Sequence, residues 1–302
     1  MQRIPLNEIR DQTCKSRDAW WTVLLVDPLA LRLVRLVYPY RWITPNLLSL
    51  FAFVLGLGAV ACFATGDRWW LIAGAVLFHL SFVVDCMDGK IARLNGTGTV
   101  FGVWFDFIFD RVRVLLCAVA LMAGQYARSD DTKYLWLATA VIGLDLFRYL
   151  NGSQMGKIKS SMRSRLAEAR GVSEAPAAVD DEGETESEQR PAPPPPAEGD
   201  TGVYVKVRNW LLRSRIRTHL FSGIEYEMTV FIIGPLIASF VHDGVFWTSV
   251  VACALLLAFE ALLVLRLYQL TRRFPGQLEK AQLEKTQREG VERGVTPLPT
   301  QV

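Results

Sequence analysis

Asp85, Asp88, Asp106 and Asp110 form two pairs, spaced three and four residues apart, inside stretches that are otherwise apolar. On a helix those spacings set each pair on one face, with about 4.5 and 6 Å of rise between partners. Ionisable groups inside a membrane are costly and are kept mostly for function. Four carboxylates converging at low dielectric repel one another and take up protons unless cations neutralise them. Oxygen-only ligands select hard cations. Mg²⁺ or Mn²⁺ come first, Ca²⁺ stays open, and Zn²⁺ is disfavoured because no His or Cys ligand set accompanies the acids. Two such ions about 4 Å apart clamp a phosphate and activate an attacking oxygen.

The residues between the pairs extend that chemistry. Gly89 and Ala92 are small where a flat ligand can approach the helix, and Arg93 offers a permanent fork to a phosphate. Gly102, four before Asp106, is expected to let the helix carrying the second pair approach the helix carrying the first.

The elements that must carry these residues are membrane helices. The 302-residue chain is 51% apolar and only 21% charged, with mean hydropathy +0.22. A span needs roughly 20 apolar residues, and six stretches qualify: 46–65, 69–88, 100–126, 133–151, 220–241 and 245–267. The predicted fold is all-α and polytopic. The polar first eighteen residues argue against a cleaved signal peptide. Five scattered cysteines and three histidines exclude a disulfide scaffold or a zinc module. A net charge of +3, with basic residues dispersed between apolar runs, argues against nucleic-acid binding.

Lys and Arg crowd the N-terminal segment, the loop after the second span, the loop after the fourth and the tail, whereas the opposite loops hold Arg68, Arg128 and Lys133. The positive-inside rule then predicts a multi-pass cell-membrane protein with both termini cytoplasmic. Arg111, Arg113 and Arg148 lie within the spans. Asp27-Pro28 reads as an N-cap followed by Pro at N1, opening an interfacial amphipathic helix with Leu29, Leu33, Leu36 and Val37 on one face and Arg32 and Arg35 reaching headgroups.

The predicted organisation is a cytoplasmic N-terminus with the interfacial helix (1–45) and four catalytic spans (46–160). A disordered acidic, Pro-rich loop (161–205) and a basic amphipathic segment (206–219) follow, then two further spans (220–270) and a polar tail (271–302).

With its spacing laid out, the stretch from Asp85 to Asp110 resembles the CDP-alcohol phosphotransferase family. It matches that signature, Asp-x-x-Asp-Gly-x-x-Ala-Arg, eight residues, Gly-x-x-x-Asp-x-x-x-Asp, at every specified position. The resemblance implies six transmembrane helices, an N-terminal helix along the membrane and a homodimer. It also implies transfer of a substituted phosphate from a CDP-alcohol lipid donor, usually CDP-diacylglycerol, to an acceptor hydroxyl with release of CMP. By that analogy Asp85, Asp88, Asp106 and Asp110 hold two Mg²⁺ or Mn²⁺ ions and Asp110 is the general base. Asp85, Gly89, Ala92, Arg93 and Thr99 meet the nucleotide, and Asn46, in the Thr44-Pro45-Asn46 entry to the first span, is a further neighbour.

Relatives with phosphorylated acceptors carry basic residues at the end of the fourth span. Here the run departs from their pattern, leaving Arg148, Lys157, Lys159 and Arg217 as acceptor-binding candidates. Asp145 and Arg148, three apart, suit mutual neutralisation. Glu225 and Glu227 open the fifth span, where a helix dipole favours anions, and Glu260 sits in the sixth. A membrane prenyltransferase is a weaker alternative, because its acidic motifs should lie far apart in sequence. A divalent-cation transporter would hold its acids near the bilayer midplane on broken helices, whereas these gather toward the cytoplasmic ends.

Overall fold

The computed structural model describes residues 4–15, 17–40, 42–171, 214–217 and 221–292. Most of the acidic loop and of the basic segment expected at 206–219 lies outside the described residues. Among the described residues the chain is helical, with no β-strand and one isolated bridge between Asp18 and Ile216. It divides into two compact units, Met1–Asp145 with Pro196–Leu257, and Leu146–Pro195 with Ala258–Val302.

The first unit is built on α3 (Pro45–Ala64), α4 (Arg68–Asn95) and α5 (Val100–Ser129). Each start has a side-chain cap that satisfies an orphan amide. Thr44 accepts from Leu47 N at 3.3 Å, Asp67 from Trp69 N at 3.3 Å and Thr99 from Gly102 N at 3.0 Å. Gly96 ends α4 at φ 62°, a left-handed conformation that a residue without Cβ adopts at no steric cost.

α3 packs against both α4 and α5 through a stripe of small residues, Ser49, Ala52, Gly56 and Ala59, all buried. In lipid, where tails are as apolar as side chains, close backbone approach takes over the role of hydrophobic collapse. A Cβ on Gly124 of α5 would lie 2.3 Å from the Phe63 carbonyl, so only glycine permits that crossing.

Two helical paths contain a π turn. Thr22–Val26 precedes α2 (Asp27–Val37), and Thr229–Ile233 links α7 (Gly223–Met228) to α8 (Gly234–Ala238). In each, proline follows the turn by two residues, Pro28 and Pro235. A proline has no N–H for the carbonyl four residues back, so the ladder widens by one residue just before it. The helical path expected over 220–241 is therefore Gly223–Ala238 with this turn inside it.

Asp27 was expected to cap α2. Instead the helical path already starts at Trp20, Asp27 lies within it, and its buried carboxylate pairs with Lys90 of α4 at 3.0 Å. α6 (Lys133–Arg170) runs past the expected boundary at 160, and α9 (Gly244–Glu292) runs past 271 with Pro275 inside it. Good helix formers such as Lys, Arg, Glu, Gln, Leu and Ala continue both beyond their apolar stretches.

Three helices among the described residues are long and apolar enough to cross a membrane: Pro45–Ala64, Arg68–Asn95 and Gly244–Gln287. α5 and α6, at 30 and 38 residues, are also long enough. Their ionisable residues, among them Asp106, Asp110, Arg111, Arg113, Asp145 and Arg148, lower their hydropathy.

Candidate metal and active site

Asp85 and Asp88 on α4 and Asp106 on α5 come together: each offers a carboxylate oxygen within 4.8 Å of the others. Asp88 is buried, and Asp85 and Asp106 are half-buried. The i,i+3 spacing puts both α4 acids on one face, and α3, packed on both helices, fixes the distance between that face and Asp106. Ser49 of α3 donates its hydroxyl hydrogen bond to Asp88 Oδ2, which orients that carboxylate.

The fourth acid of the motif is not in this trio. Asp110 accepts from Arg111 at one oxygen and from Arg113 at the other. Arg113 is 2% exposed, one of the largest fully buried side chains. Its Nη1 donates to Ser81 Oγ at 3.0 Å and to Asp85 at 3.3 Å. Ser81 Oγ in turn donates to the Ala52 carbonyl of α3 at 2.6 Å. Arg111 Nη1 reaches Asp145 of α6 at 3.1 Å and Glu227 of α7 at 3.0 Å.

Among these residues two guanidinium groups therefore face six carboxylates: Asp85, Asp88, Asp106, Asp110, Asp145 and Glu227. Those six acids outnumber the two guanidinium groups, and within the trio Arg113 pairs with Asp85 at 3.3 Å. Burying that excess is tenable with divalent cations bound. The all-oxygen donor set, with Ser49 fixing the orientation of one ligand, fits a hard cation at Asp85, Asp88 and Asp106.

The predicted nucleotide residues surround the turn between α4 and α5. Thr99 caps α5, and a Cβ on Gly102 would meet Thr99 Oγ1 at 3.0 Å and Asn46 Oδ1 at 3.3 Å. Asn46, Thr99 and Gly102 thus form one corner. Gly102 lets α5 approach the first turn of α3, not α4 as expected from sequence; the small residue serves the helix that sits against both. Arg93 donates through Nη1 to the Thr13 carbonyl at the end of α1 (Leu6–Thr13), while its Nη2 lies 3.6 Å from where a Cβ on Gly89 would be. Gly89 and Ala92 are half-buried.

The acceptor candidates divide between the units. In the second, Arg148 is 4% exposed and its Nε lies 3.2 Å from Glu260 Oε1, while Asn151 donates to Glu260 Oε2 at 2.5 Å. Lys157 is exposed and Lys159 half-buried. Arg217 belongs to the first unit and is 5% exposed. Glu225 has a structural role as the acid of a capping box, accepting from Ser222 N at 3.0 Å and Ser222 Oγ at 2.6 Å. Glu227 pairs with Arg111.

Sequence reasoning missed Ser49, Ser81 and Gly56, noted Arg111 without a role, and offered Arg113 as a candidate contact of Glu225 and Glu227, whereas Glu227 pairs with Arg111. The small-residue stripe of α3 was the available signal for Ser49 and Gly56. A buried Arg requires acids around it, and four were in view within the same two spans.

A helical membrane chain with buried carboxylates at the facing ends of two helices defines a broad class. The comparisons narrow it: residues 42–171 match the family model for CDP-alcohol phosphatidyltransferase. Over 90 residues, 30% of this chain and 37% of the relative, it is 36% identical to the phosphatidylinositol phosphate synthase of Corynebacterium glutamicum. Over 101 residues it is 32% identical to the archaetidylinositol phosphate synthase of Methanothermobacter thermautotrophicus, covering 33% of this chain and 46% of that protein. Over 82 residues it is 34% identical to the CDP-diacylglycerol–glycerol-3-phosphate 3-phosphatidyltransferase of Escherichia coli, 27% of this chain and 44% of the relative. The chain thus spans less than half the length of each of these curated relatives.

Proposed function

We propose that this protein is an integral membrane CDP-alcohol phosphotransferase of phospholipid biosynthesis. It transfers the phosphatidyl group of CDP-diacylglycerol to an acceptor hydroxyl and releases CMP. The observation that carries this reading is the convergence of Asp85, Asp88 and Asp106 within 4.8 Å, inside the 42–171 family match. In the reaction the acceptor oxygen forms a bond to the donor's β-phosphorus, the bond from that phosphorus to the CMP oxygen breaks, and the hydroxyl proton passes to a carboxylate.

Asp85, Asp88 and Asp106 would hold Mg²⁺ or Mn²⁺, with Asp110 contributing to a second ion. Bound there, divalent cations supply charge stabilisation for the phosphoryl group in transfer. Gly89, Ala92 and Arg93 take the cytidine diphosphate, with Asn46 and Thr99 at its edge. Asp110 is the base toward the acceptor hydroxyl, and its two guanidinium partners set a condition: Arg111 or Arg113 must yield one oxygen when the acceptor enters. Arg111 has Asp145 and Glu227 to turn to. Arg148, Lys157, Lys159 and Arg217 are assigned to the acceptor, a polar alcohol.

The same reading gives six spans, an N-terminal helix in the interface, both termini in the cytoplasm and a homodimeric assembly. Its test is CMP release by the purified chain in lipid nanodiscs with Mg²⁺ and CDP-diacylglycerol. Acceptors are offered one at a time, with inositol phosphate and glycerol 3-phosphate first. Release that requires one acceptor and disappears in Asp110→Asn supports it. A Mg²⁺ or Mn²⁺ flux without CMP formation would establish a transporter instead.

A further inference from the structure

A second charged junction lies beside the carboxylate trio, on another face of the same helix. Asp27 and Lys90 are 5% and 6% exposed, with Lys90 Nζ 3.0 Å from Asp27 Oδ1. Cys14 donates to Asp27 Oδ2 at 3.6 Å, and Arg215 Nη2 lies 3.5 Å from the same oxygen. One buried carboxylate is therefore shared by the chain after α1, the start of α2, the signature helix α4 and the chain that returns after the acidic loop.

Arg215 is bound to this junction by its backbone as well. Its Nε and Nη2 donate to the Lys15 carbonyl at 3.0 and 2.7 Å, its own carbonyl accepts from Asp18 N at 2.9 Å, and Arg217 N donates to the Asp18 carbonyl at 3.0 Å. Arg215 holds φ 60°. That conformation is unfavourable for a residue with a bulky side chain and persists only where its surroundings over-determine it.

What this junction holds in place is the end of α1. The Thr13 carbonyl is among the last of α1, where no helical N–H follows and the helix dipole is negative, and it accepts from Arg93 Nη1. The other terminal nitrogen of Arg93 lies over Gly89. A long, exposed Arg side chain otherwise samples many rotamers, and pinning one end of its fork leaves the other end preset for a phosphate.

We propose that the N-terminal segment is a positioning element for the donor site: the Thr13 carbonyl sets the Arg93 guanidinium over Gly89, and Asp27, through Lys90 and Arg215, fixes where that carbonyl stands. The inference rests on the assignment of Arg93 to the donor's diphosphate. Lys90 occupies an unspecified position of the signature, so this device belongs to this chain's own residues. It also joins the segment after the acidic loop to the wall of the nucleotide site.

The test uses the full chain in nanodiscs with Mn²⁺, measuring the Kd for CDP-diacylglycerol and, separately, the Kd for Mn²⁺. Arg93→Ala is the reference and weakens donor binding by about tenfold or more, the range for a lost charge-assisted hydrogen bond. Asp27→Asn and Lys90→Met each weaken donor binding about tenfold, and Arg215→Ala costs about threefold. Mn²⁺ affinity stays within about twofold throughout, because no ligand is touched.

Folded single variants that bind donor as the parent does would overturn the proposal, as would loss of donor and Mn²⁺ binding in parallel, which marks a merely structural staple. Where the Asp27 or Lys90 variant fails to fold, Arg215→Ala decides: parent-like donor binding by it overturns the proposal. Parent-like binding by Arg93→Ala defeats the assignment of Arg93 instead, whatever the Asp27 variants do.

Discussion

A Cβ on Gly56 of α3 would stand 2.5 Å from Cδ of Arg113 on α5, so the stem of the buried arginine crosses α3 where that helix has no side chain. The relationship links a packing glycine to the electrostatics of the site, because Arg113 is the group that reaches both Asp85 and Asp110. Gly56→Ala is expected to displace the arginine stem or push α3 away, at about 1–3 kcal/mol for overpacking. Its thermal midpoint in detergent should fall and its CMP release should drop at least tenfold. A variant as stable and as active as the parent would show that Arg113 has room to move.

Ser49 meets the site through its hydrogen bond to Asp88. Ser49→Ala removes the donor that orients Asp88, and partners of this kind to a metal ligand are worth about 10- to 100-fold in metal affinity. Mn²⁺ binding followed by electron paramagnetic resonance should weaken by about tenfold while the thermal midpoint changes little. Unchanged Mn²⁺ affinity would mean that Asp88 is oriented by its helix alone.

The trio and Asp110 should separate in experiment. Asp106→Asn removes one of the three convergent ligands and should abolish both Mn²⁺ binding and CMP release. Asp110→Asn should abolish CMP release while the first ion still binds, since Asp110 is held by Arg111 and Arg113 outside the trio. Loss of all Mn²⁺ binding in Asp110→Asn would place Asp110 among the ligands of the first ion.

At the other end of the first unit, Asp243 accepts from Lys133 Nζ at 2.7 Å and Tyr134 Oη at 2.8 Å. The hydrogen bond from Lys133 holds the Asp243 carboxyl below the usual carboxylate range, outweighing an opposing desolvation effect, and the hydrogen bond from Tyr134 adds to the lowering. A depressed folded-state value means that the ion pair stabilises the fold above the unfolded value, about pH 4, and that this is lost as pH falls through the folded one. Asp243→Asn suits the left-handed φ of 56° at this position. It should lower the thermal midpoint at pH 7, and the two midpoints should converge as pH falls through the depressed folded-state value. A gap that persists at low pH would assign the effect to packing.

In the second unit Arg148 and Glu260 form a buried pair, with Asn151 on the remaining carboxylate oxygen. Glu260→Ala leaves a buried guanidinium short of its partner and should destabilise the protein by about 3–5 kcal/mol. Arg148→Met with Glu260→Leu should restore much of the thermal midpoint while leaving any role of Arg148 toward the acceptor lost. Full activity in that double variant would remove Arg148 from the acceptor site.

What was legible in the sequence was legible because it is local. Apolar stretches marked α3, α4 and the start of α9, and Thr44 could be read as a cap from its place ahead of Pro45. The i,i+3 and i,i+4 spacings announced the carboxylate faces, and those faces exist as soon as the helices form. The eight signature positions lie within residues 85–110, short enough for spacing alone to carry the family resemblance.

What the sequence left open depends on residues brought together from far apart in the chain. Asp27 looked like a cap by its neighbour Pro28, yet its partner is Lys90. Gly102 looked like a contact for α4, yet it faces Asn46. Ser49 and Gly56 looked like ordinary small residues of a span, yet one orients the Asp88 carboxylate and the other admits the Arg113 stem. The sequence by itself determined which helices form and which acids each presents, through hydrophobic length and helical period. Only the tertiary structure decided that three acids converge while the fourth is held by two arginines, because that depends on how closely α3 lets α4 and α5 approach it.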